Sequence, residues 1–284
     1  MPDFTLHTHT IGFDGKNTPA EMASRATELG MHTIGISNHF IVHPNIRRAP
    51  MYKYAVRGGY SGIYSDSFDE TIEKFRAHYD ELNKLSQTSG IRILRGMEVD
   101  YFAYPAWHSG FERAVRILQP DYVIGAAHFV EYGGVLCNTH DAAHASPDDQ
   151  TQMLKTYWAN IRDAAASGLF TWMAHLDLYK KVGLGRNAVW HDAECDALDA
   201  IRTAGCGIEV NTGLYTAKID EPYPSARILA AAAARDIPVL ISDDAHATNQ
   251  IGRHFDRAEC FATSCNVKNR LNIQKILDFR TKIH

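Results

Sequence analysis

The residues best suited to chemistry begin near the N-terminus, with His7 and His9. They follow a short strand-like run at residues 3–6, and residues two apart in an extended chain point to the same face. Two imidazoles on one face form half of a metal site, because neutral histidine is a common ligand of zinc, iron and manganese-type ions. The alternative is a pair of surface histidines, and this short motif alone does not decide between the two.

Ligand-type residues also stand at the C-terminal ends of the later strand-like runs. They are His39, Glu98, His128, His175, Asp244 and His246. In a closed barrel these strand ends converge on one face, where active sites of such folds lie. An open sheet would spread the same residues along an edge roughly tens of ångströms wide. The set therefore predicts closure, whereas a set of buried, backbone-bonded histidines would need an independent cause at every strand end.

The elements that must position these side chains alternate along the whole chain. Strands are predicted at 3–6, 32–38, 91–97, 122–127, 170–174, 207–212 and 238–242, and helices at 19–30, 67–89, 108–118, 148–166, 191–204, 224–235 and 272–282. Thr18, Pro19 and Glu21 form a capping box with proline in its favoured place. Such alternation predicts an α/β protein with a parallel sheet. No Gly-x-Gly-x-x-Gly or Walker-type loop follows a strand, which disfavours a nucleotide-binding open sheet.

Composition excludes several classes of protein. The 284 residues are 45% hydrophobic and 22% charged, as in ordinary globular proteins. A net charge of -4 without a basic stripe argues against nucleic-acid partners. There is no long apolar run and no N-terminal signal peptide, so we expect no membrane partner and a cytoplasmic location. The five cysteines are scattered and odd in number, which disfavours a disulfide framework or a thiolate zinc site.

The ligand-type residues are too many for one ion. Three histidines and one carboxylate satisfy a mononuclear site, and a catalytic site leaves one position open. The set therefore predicts two or three divalent ions, with Glu98 as the natural bridge because a carboxylate presents one oxygen to each of two metals. Nitrogen and oxygen ligands fit zinc, iron or manganese, and the sequence does not separate them.

Two polar inserts, near 40–66 and 131–147, lie on the catalytic face if the barrel is closed. Their aromatic side chains could form a substrate wall or lid, or could pack for the stability of the loops themselves. These residues are Tyr52, Tyr54, Tyr60, Tyr64, His140 and His144.

Six separated motifs resemble those of the polymerase and histidinol phosphatase (PHP) superfamily, and most of all those of histidinol-phosphate phosphatases. They are His7-x-His9, Ser37-Asn38-His39, Gly96-Met97-Glu98-Val99-Asp100, Gly125-Ala126-Ala127-His128, Ala174-His175-Leu176-Asp177 and Asp244-Ala245-His246. The resemblance implies a distorted seven-stranded, TIM-like (β/α)7 barrel, a single domain over residues 1–284, and three metal ions. Carried over by position, the three ligand sets are His7, His9, Glu98 and Asp244; Glu98, His128 and His175; and Asp14, His39 and His246.

The chain departs from the pattern of this family at three places. No arginine follows Asn211-Thr212, Asp243 replaces a small residue before the metal-binding aspartate, and Asn38 replaces an aspartate. Because this arginine is missing, another basic side chain would have to bind the phosphate group. The candidates are Lys180, Arg186, Lys218 and Arg253.

The resulting hypothesis is a metal-dependent phosphomonoesterase acting on a small phosphate ester, similar to histidinol-phosphate phosphatase. A hydroxide bridging two ions would attack phosphorus, while the ions neutralise the developing charge. The catalytic group predicted is Glu98, Asp243, Asp244 and His246, and Asp243 or Glu209 is the candidate proton donor.

Two alternatives remain open at this point. The same cluster could hydrolyse another bond, in a phosphodiester, a lactone or an amide. The chain could also be a metal-stabilised binding module without catalysis. The sequence does not give the oligomeric state.

Overall fold

The fold is a parallel barrel that is nearly closed. A computed structural model describes residues 3–185, 191–216 and 219–283, with side chains up to residue 278. The strands are β1 (Phe4–Thr5), β2 (Thr33–Ile36), β3 (His39–Val42), β4 (Tyr64–Ser65), β5 (Arg92–Asp100), β6 (Tyr122–Ala126), β7 (Phe129–Tyr132), β8 (Val135–Asn138), β9 (Trp172–Met173), β10 (Gly207–Asn211) and β11 (Val239–Ser242). The α-helices are α1 (Pro19–Glu28), α2 (Tyr52–Gly58), α3 (Phe68–Ser86), α4 (Pro105–Leu118), α5 (Thr139–Ala143), α6 (Pro147–Ala166), α7 (His191–Ala204), α8 (Ala226–Ala234), α9 (Phe255–Ser264) and α10 (Ile273–Ile283).

Seven strands pair in the order β1-β2-β5-β6-β9-β10-β11, all parallel. The barrel closes just beyond the ends of β11 and β1. There the main-chain nitrogen of His9 donates to the Ala245 oxygen at 2.8 Å, and the Ala245 nitrogen donates to the His7 oxygen at 3.1 Å. The predicted seven-stranded TIM-like barrel is confirmed, and the closure joins two segments that carry predicted ligands.

Local sequence explains where the first helix begins. Thr18 Oγ1 accepts from the Glu21 nitrogen at 3.2 Å, and the Glu21 carboxylate accepts from the Thr18 nitrogen at 2.8 Å. This reciprocal pair satisfies two of the donors that a helix start leaves free, and Pro19 occupies the first turn. The predicted capping box is confirmed.

The first insert is shorter than predicted. β3 overlaps the start of the insert predicted near 40–66, and it pairs with β5 through His39 opposite Glu98. β2 pairs with the earlier part of β5, so β3 continues the line of β2 after a break. The nine-residue β5 therefore extends past the predicted end at residue 97. Two consecutive strands share it as a partner.

The second insert begins with a hairpin that the sequence analysis did not predict. β7 and β8 pair antiparallel, with Gly133 and Gly134 at the turn at φ angles of 57° and 76°. A two-residue turn with both φ angles positive matches the twist of a hairpin, and glycine adopts it without steric cost. The Gly-Gly pair was the available signal.

The interior of the barrel is filled by side chains from alternate strand positions. Tyr122 and Ile124 of β6 belong to one buried cluster with Leu6 and Trp172, whereas Val123 belongs to the outer core beneath the helices. Residues of α10 complete the inner cluster. No helix in the described part of the chain combines the length and apolar character needed to cross a bilayer.

Gly96 leaves room for the ring of Tyr122. A Cβ at position 96 would overlap that ring, whereas a Cβ at Gly90 meets no atom within 4 Å. Because overpacking a closed core forces neighbours to move, Gly96→Ala is expected to lower the free energy of unfolding by about 1–3 kcal/mol. Urea denaturation measures it, with Gly90→Ala as the matched control. Equal stability of the two variants would contradict the packing described here.

Candidate metal centre

The predicted ligand side chains meet at the C-terminal mouth of the barrel. Nine of them come together there from six separate segments: His7, His9, Asp14, His39, Glu98, His128, His175, Asp244 and His246. Glu98 is 1% exposed and His7 and His9 are fully buried, so the cluster is closed off on the barrel side.

Four donor atoms form the first group, in which His7, His9 and Glu98 lie mutually close and Asp244 contacts both imidazoles. His7 Nε2 lies 3.5 Å from both Glu98 Oε2 and Asp244 Oδ1, and His9 Nε2 lies 3.5 Å and 3.3 Å from the same two oxygens. Ligands about 2.1 Å from a tetrahedral ion stand about 3.4 Å apart. The four nitrogen-to-oxygen separations match that spacing.

Buried atoms without partners show that this donor set suits a cation. His7 Nε2, His9 Nε2 and Glu98 Oε2 are buried and have no hydrogen-bond partner. An unpaired buried polar atom is costly, and all three face one another across the first group. A divalent ion would satisfy these atoms together, so the residues present fit a metal.

Two further groups adjoin the first. The other Glu98 oxygen, Oε1, lies 3.0 Å from His175 Nε2 and 3.6 Å from His128 Nε2. Asp14 Oδ2 lies 3.1 Å from the Nε2 atoms of both His39 and His246. Glu98 thus faces two groups with its two oxygens. The groups also contact one another. His39 Nδ1 is 2.9 Å from Glu98 Oε2, and His9 Nδ1 is 3.3 Å from Asp14 Oδ1.

Two buried carboxylates orient the histidines from behind. Asp100 accepts from the His128 nitrogen at 2.7 Å and contacts His128 Nδ1 at 2.9 Å. Glu209 contacts His7 Nδ1 at 3.0 Å. A carboxylate at Nδ1 fixes the tautomer and leaves Nε2 free to bind a metal. The role of Asp100 was not predicted from the sequence, although its position two residues after Glu98 in a strand was the available signal.

The Glu209 carboxylate is fully buried and accepts several hydrogen bonds. Besides His7, its carboxylate accepts from Trp172 Nε1 at 3.2 Å, the His175 nitrogen at 3.1 Å and Asn211 Nδ2 at 2.7 Å. These contacts suit a residue that positions His7 and His175. They do not suit the proton donor considered from the sequence.

The electrostatics of the cluster favour ionised carboxylates. Burial by itself would raise the pKa of Glu98, but His39, His7 and His128 hold that pKa well below its usual value. Burial would lower the pKa of His39, and the carboxylates of Asp14 and Glu98 raise it well above normal instead. The raised pKa of His39 favours its protonated form, whose positive charge balances these acids. A metal ion would supply the same positive charge.

Three residues predicted to act on substrate lie elsewhere or are engaged in other contacts. Lys180 Nζ contacts the Pro222 oxygen at 2.7 Å and Glu221 at 2.9 Å. Asp243 is fully buried, and burial raises its pKa to about 6. Arg253 Nη2 donates to the Asp243 main-chain oxygen at 2.7 Å. Arg186 and Lys218 lie outside the described residues.

A cavity of about 340 Å³ opens above the cluster. Both inserts contribute to it, through Tyr60, Tyr64 and His140. Lys181 also lines it, facing the acids of the cluster. Lys180, and not its neighbour Lys181, was among the cations predicted from the sequence to bind phosphate. The side chain that reaches the cavity depends on how the short 3₁₀ turn at Leu178–Val182 winds.

Asp100→Asn is expected to weaken metal binding by 10- to 100-fold, because an amide holds His128 in its metal-binding orientation less firmly than a carboxylate. Competition with a chromophoric chelator measures the dissociation constant. Asp80→Asn, on the exposed face of α3, is the matched control. An unchanged dissociation constant in Asp100→Asn would contradict the orienting role.

Known proteins with a similar sequence cover most of the chain. A protein of Deinococcus radiodurans named "Probable histidinol-phosphatase" is 28% identical over 256 residues, 89% of each chain. A protein of the same name from Schizosaccharomyces pombe is 21% identical over 227 residues, 73% of this chain and 71% of its own.

Solved structures show the same fold. Histidinol phosphate phosphatase of Lactococcus lactis, complexed with zinc, L-histidinol and phosphate, superposes with a TM-score of 0.69 at 15% identity, covering 94% of this chain and 95% of that one. The model of the PHP domain matches residues 3–213, a range that carries seven of the nine ligand-type residues. The chain therefore belongs to the PHP domain family.

Proposed function

We propose that this protein is a metal-dependent phosphoric monoester hydrolase that acts on a small phosphate ester similar to histidinol phosphate. The observation that carries the proposal is the set of nine converging donors, several of them buried without hydrogen-bond partners. The relatives named as histidinol-phosphatases and the solved enzyme with zinc, histidinol and phosphate support the choice of substrate class.

The three donor groups would hold three divalent ions, with zinc, iron or manganese as candidates because every donor is nitrogen or oxygen. The groups are His7, His9, Glu98 and Asp244; Glu98, His128 and His175; and Asp14, His39 and His246. Bound divalent ions lower the pKa of coordinated water and neutralise charge on phosphoryl oxygens.

Besides the metal ligands, the cavity contains a positively charged side chain for the phosphate group, that of Lys181. Lys181 faces the cluster from the cavity wall. Burial lowers its pKa, and the carboxylates of Asp244 and Glu98 oppose that effect. A lysine ammonium in this place is a point charge for a phosphate oxygen, which compensates for the arginine missing after Asn211-Thr212.

The outer cavity would receive the alcohol part of the ester. Its volume of about 340 Å³ lies at the small end of the range for small-molecule sites. Aromatic and hydrogen-bonding side chains from the inserts line it, among them Tyr60, Asn138 and His140. Such a wall can surround a compact polar ring without requiring a large apolar surface.

The decisive experiment measures metal content and phosphate release on the same preparation. Protein reconstituted with zinc, iron(II) or manganese is expected to release phosphate from histidinol phosphate or another monoester in a panel. Glu98→Gln should lose metal and phosphate release together. Glu98 supplies one oxygen to each of two donor groups, and an amide has only one oxygen. Glu112→Gln, on the exposed side of α4, is the control. A fully metal-loaded protein that releases no phosphate from any monoester would refute the proposal.

Lys181→Met is expected to lower kcat/KM for the phosphate ester about 10- to 100-fold, because it removes one charge-assisted contact of roughly 1.5–3 kcal/mol. Metal content should stay at the wild-type level, since Lys181 is not a ligand. Steady-state kinetics measures the effect, with Lys155→Met on the exposed face of α6 as the control. Equal kinetics in the two variants would exclude Lys181 from phosphate binding.

A further inference from the structure

The loop between β11 and α9 carries two of the nine donors within three residues, Asp244 and His246. To place both, the backbone at Asp244 adopts a left-handed conformation with φ at 49°. A residue with a side chain rarely takes this conformation unless its surroundings hold it there. Something in the loop must therefore stabilise the turn.

Asp243 ties this loop to two other parts of the chain. Its Oδ1 accepts a hydrogen bond from Thr5 Oγ1 of β1 at 2.7 Å, and its Oδ2 accepts one from the Gly252 nitrogen at 2.7 Å. The side chain is fully buried and does not line the cavity. The carboxylate thus joins the beginning of the loop to its end and to the strand that precedes His7.

Arg253 holds the same turn from the other side. Its Nη2 donates to the Asp243 oxygen at 2.7 Å and to the Asp244 oxygen at 3.3 Å. The Asp244 oxygen also contacts His246 Nδ1 at 3.0 Å, and the His246 nitrogen donates to Gln250 Oε1 at 2.7 Å. The bond at Nδ1 leaves His246 Nε2 free to face Asp14.

We propose that Asp243 and Arg253 are positioning residues that clamp the 243–253 loop and so hold Asp244 and His246 in place for metal binding. Neither side chain lines the cavity, so neither touches substrate. The inference rests on the proposed metal centre but not on the identity of the substrate. It predicts that the donor groups containing Asp244 and His246 depend on the clamp, whereas the group of Glu98, His128 and His175 does not.

The clamp is tested by metal binding. Arg253→Met is expected to retain fewer zinc or cobalt ions after dialysis and to bind the weakest-held ions 10- to 100-fold less tightly. In protein loaded with cobalt, this loss of bound ions should also change the visible absorption spectrum. Arg253→Lys should recover part of the affinity, because one ammonium can still donate to a carbonyl oxygen of the turn. Asp243→Asn, which keeps the size of the side chain, serves if Arg253→Met does not fold.

The matched control is Arg95→Met. Arg95 makes the same kind of contact away from the cluster, since its Nη2 donates to the Gln119 oxygen at 3.2 Å and its guanidinium pairs with Asp121. Full metal content in this control, beside a loss in Arg253→Met, supports the clamp. Wild-type affinity in Arg253→Met, or an equal loss in both variants, overturns it.

The same measurements separate the clamp from the proposed function. Wild-type protein that binds no divalent ion refutes the metal centre itself. Wild-type protein that binds metal but releases no phosphate refutes only the phosphatase, and leaves the comparison of Arg253→Met with Arg95→Met fully interpretable.

Discussion

The structure depends on the placement of one buried carboxylate, that of Glu98. Its two oxygens lie 2.9–3.6 Å from nitrogens of five imidazoles, on His7, His9, His39, His128 and His175. A buried charge is costly unless compensated, so this position is stable only where positive charge surrounds it. The five imidazoles come from four different strand ends. Closure of the barrel is what brings them to one carboxylate.

Further buried acids surround the cluster without facing the cavity. The carboxylates of Asp100, Glu209 and Asp243 each accept hydrogen bonds from other segments. Each one supports a metal-ligand side chain or the loop that carries it. This arrangement explains why so many acids are buried in one place. They define ligand orientation and add negative charge that favours cations at the barrel mouth. Asp243, which precedes Asp244 and is predicted from the sequence to be catalytic, does not line the substrate cavity.

The cavity combines this centre with features particular to this chain. Lys181 is the one lysine or arginine among the described residues that line it. Because Lys181 lines the same cavity as the donor cluster, we expect a phosphate group bound there to be contacted by both. Both inserts contribute to the cavity walls through Tyr60, Tyr64, Asn138 and His140, which lie outside the seven paired strands of the barrel. We therefore expect the inserts, and not the barrel, to determine which alcohol is accepted.

The sequence by itself predicted the barrel, the capping of α1 and eight of the nine converging donors, because hydrophobic periodicity and residue type are local properties. Asp14, which lies in a loop, was implied only by the resemblance to the PHP superfamily. Ligand-type residues at strand ends needed only the rule that parallel strands end on one face. Tertiary structure alone decided which side chains face the cavity. Lys180 and Lys181 are adjacent, so spacing cannot show which of them reaches the cavity. Asp243 is predicted to be catalytic beside the ligand Asp244, and spacing cannot show that its side chain is turned away from the cavity. The winding of a turn and a left-handed residue at 244 select one member of each pair, and long-range contacts such as Thr5 to Asp243 stabilise that selection.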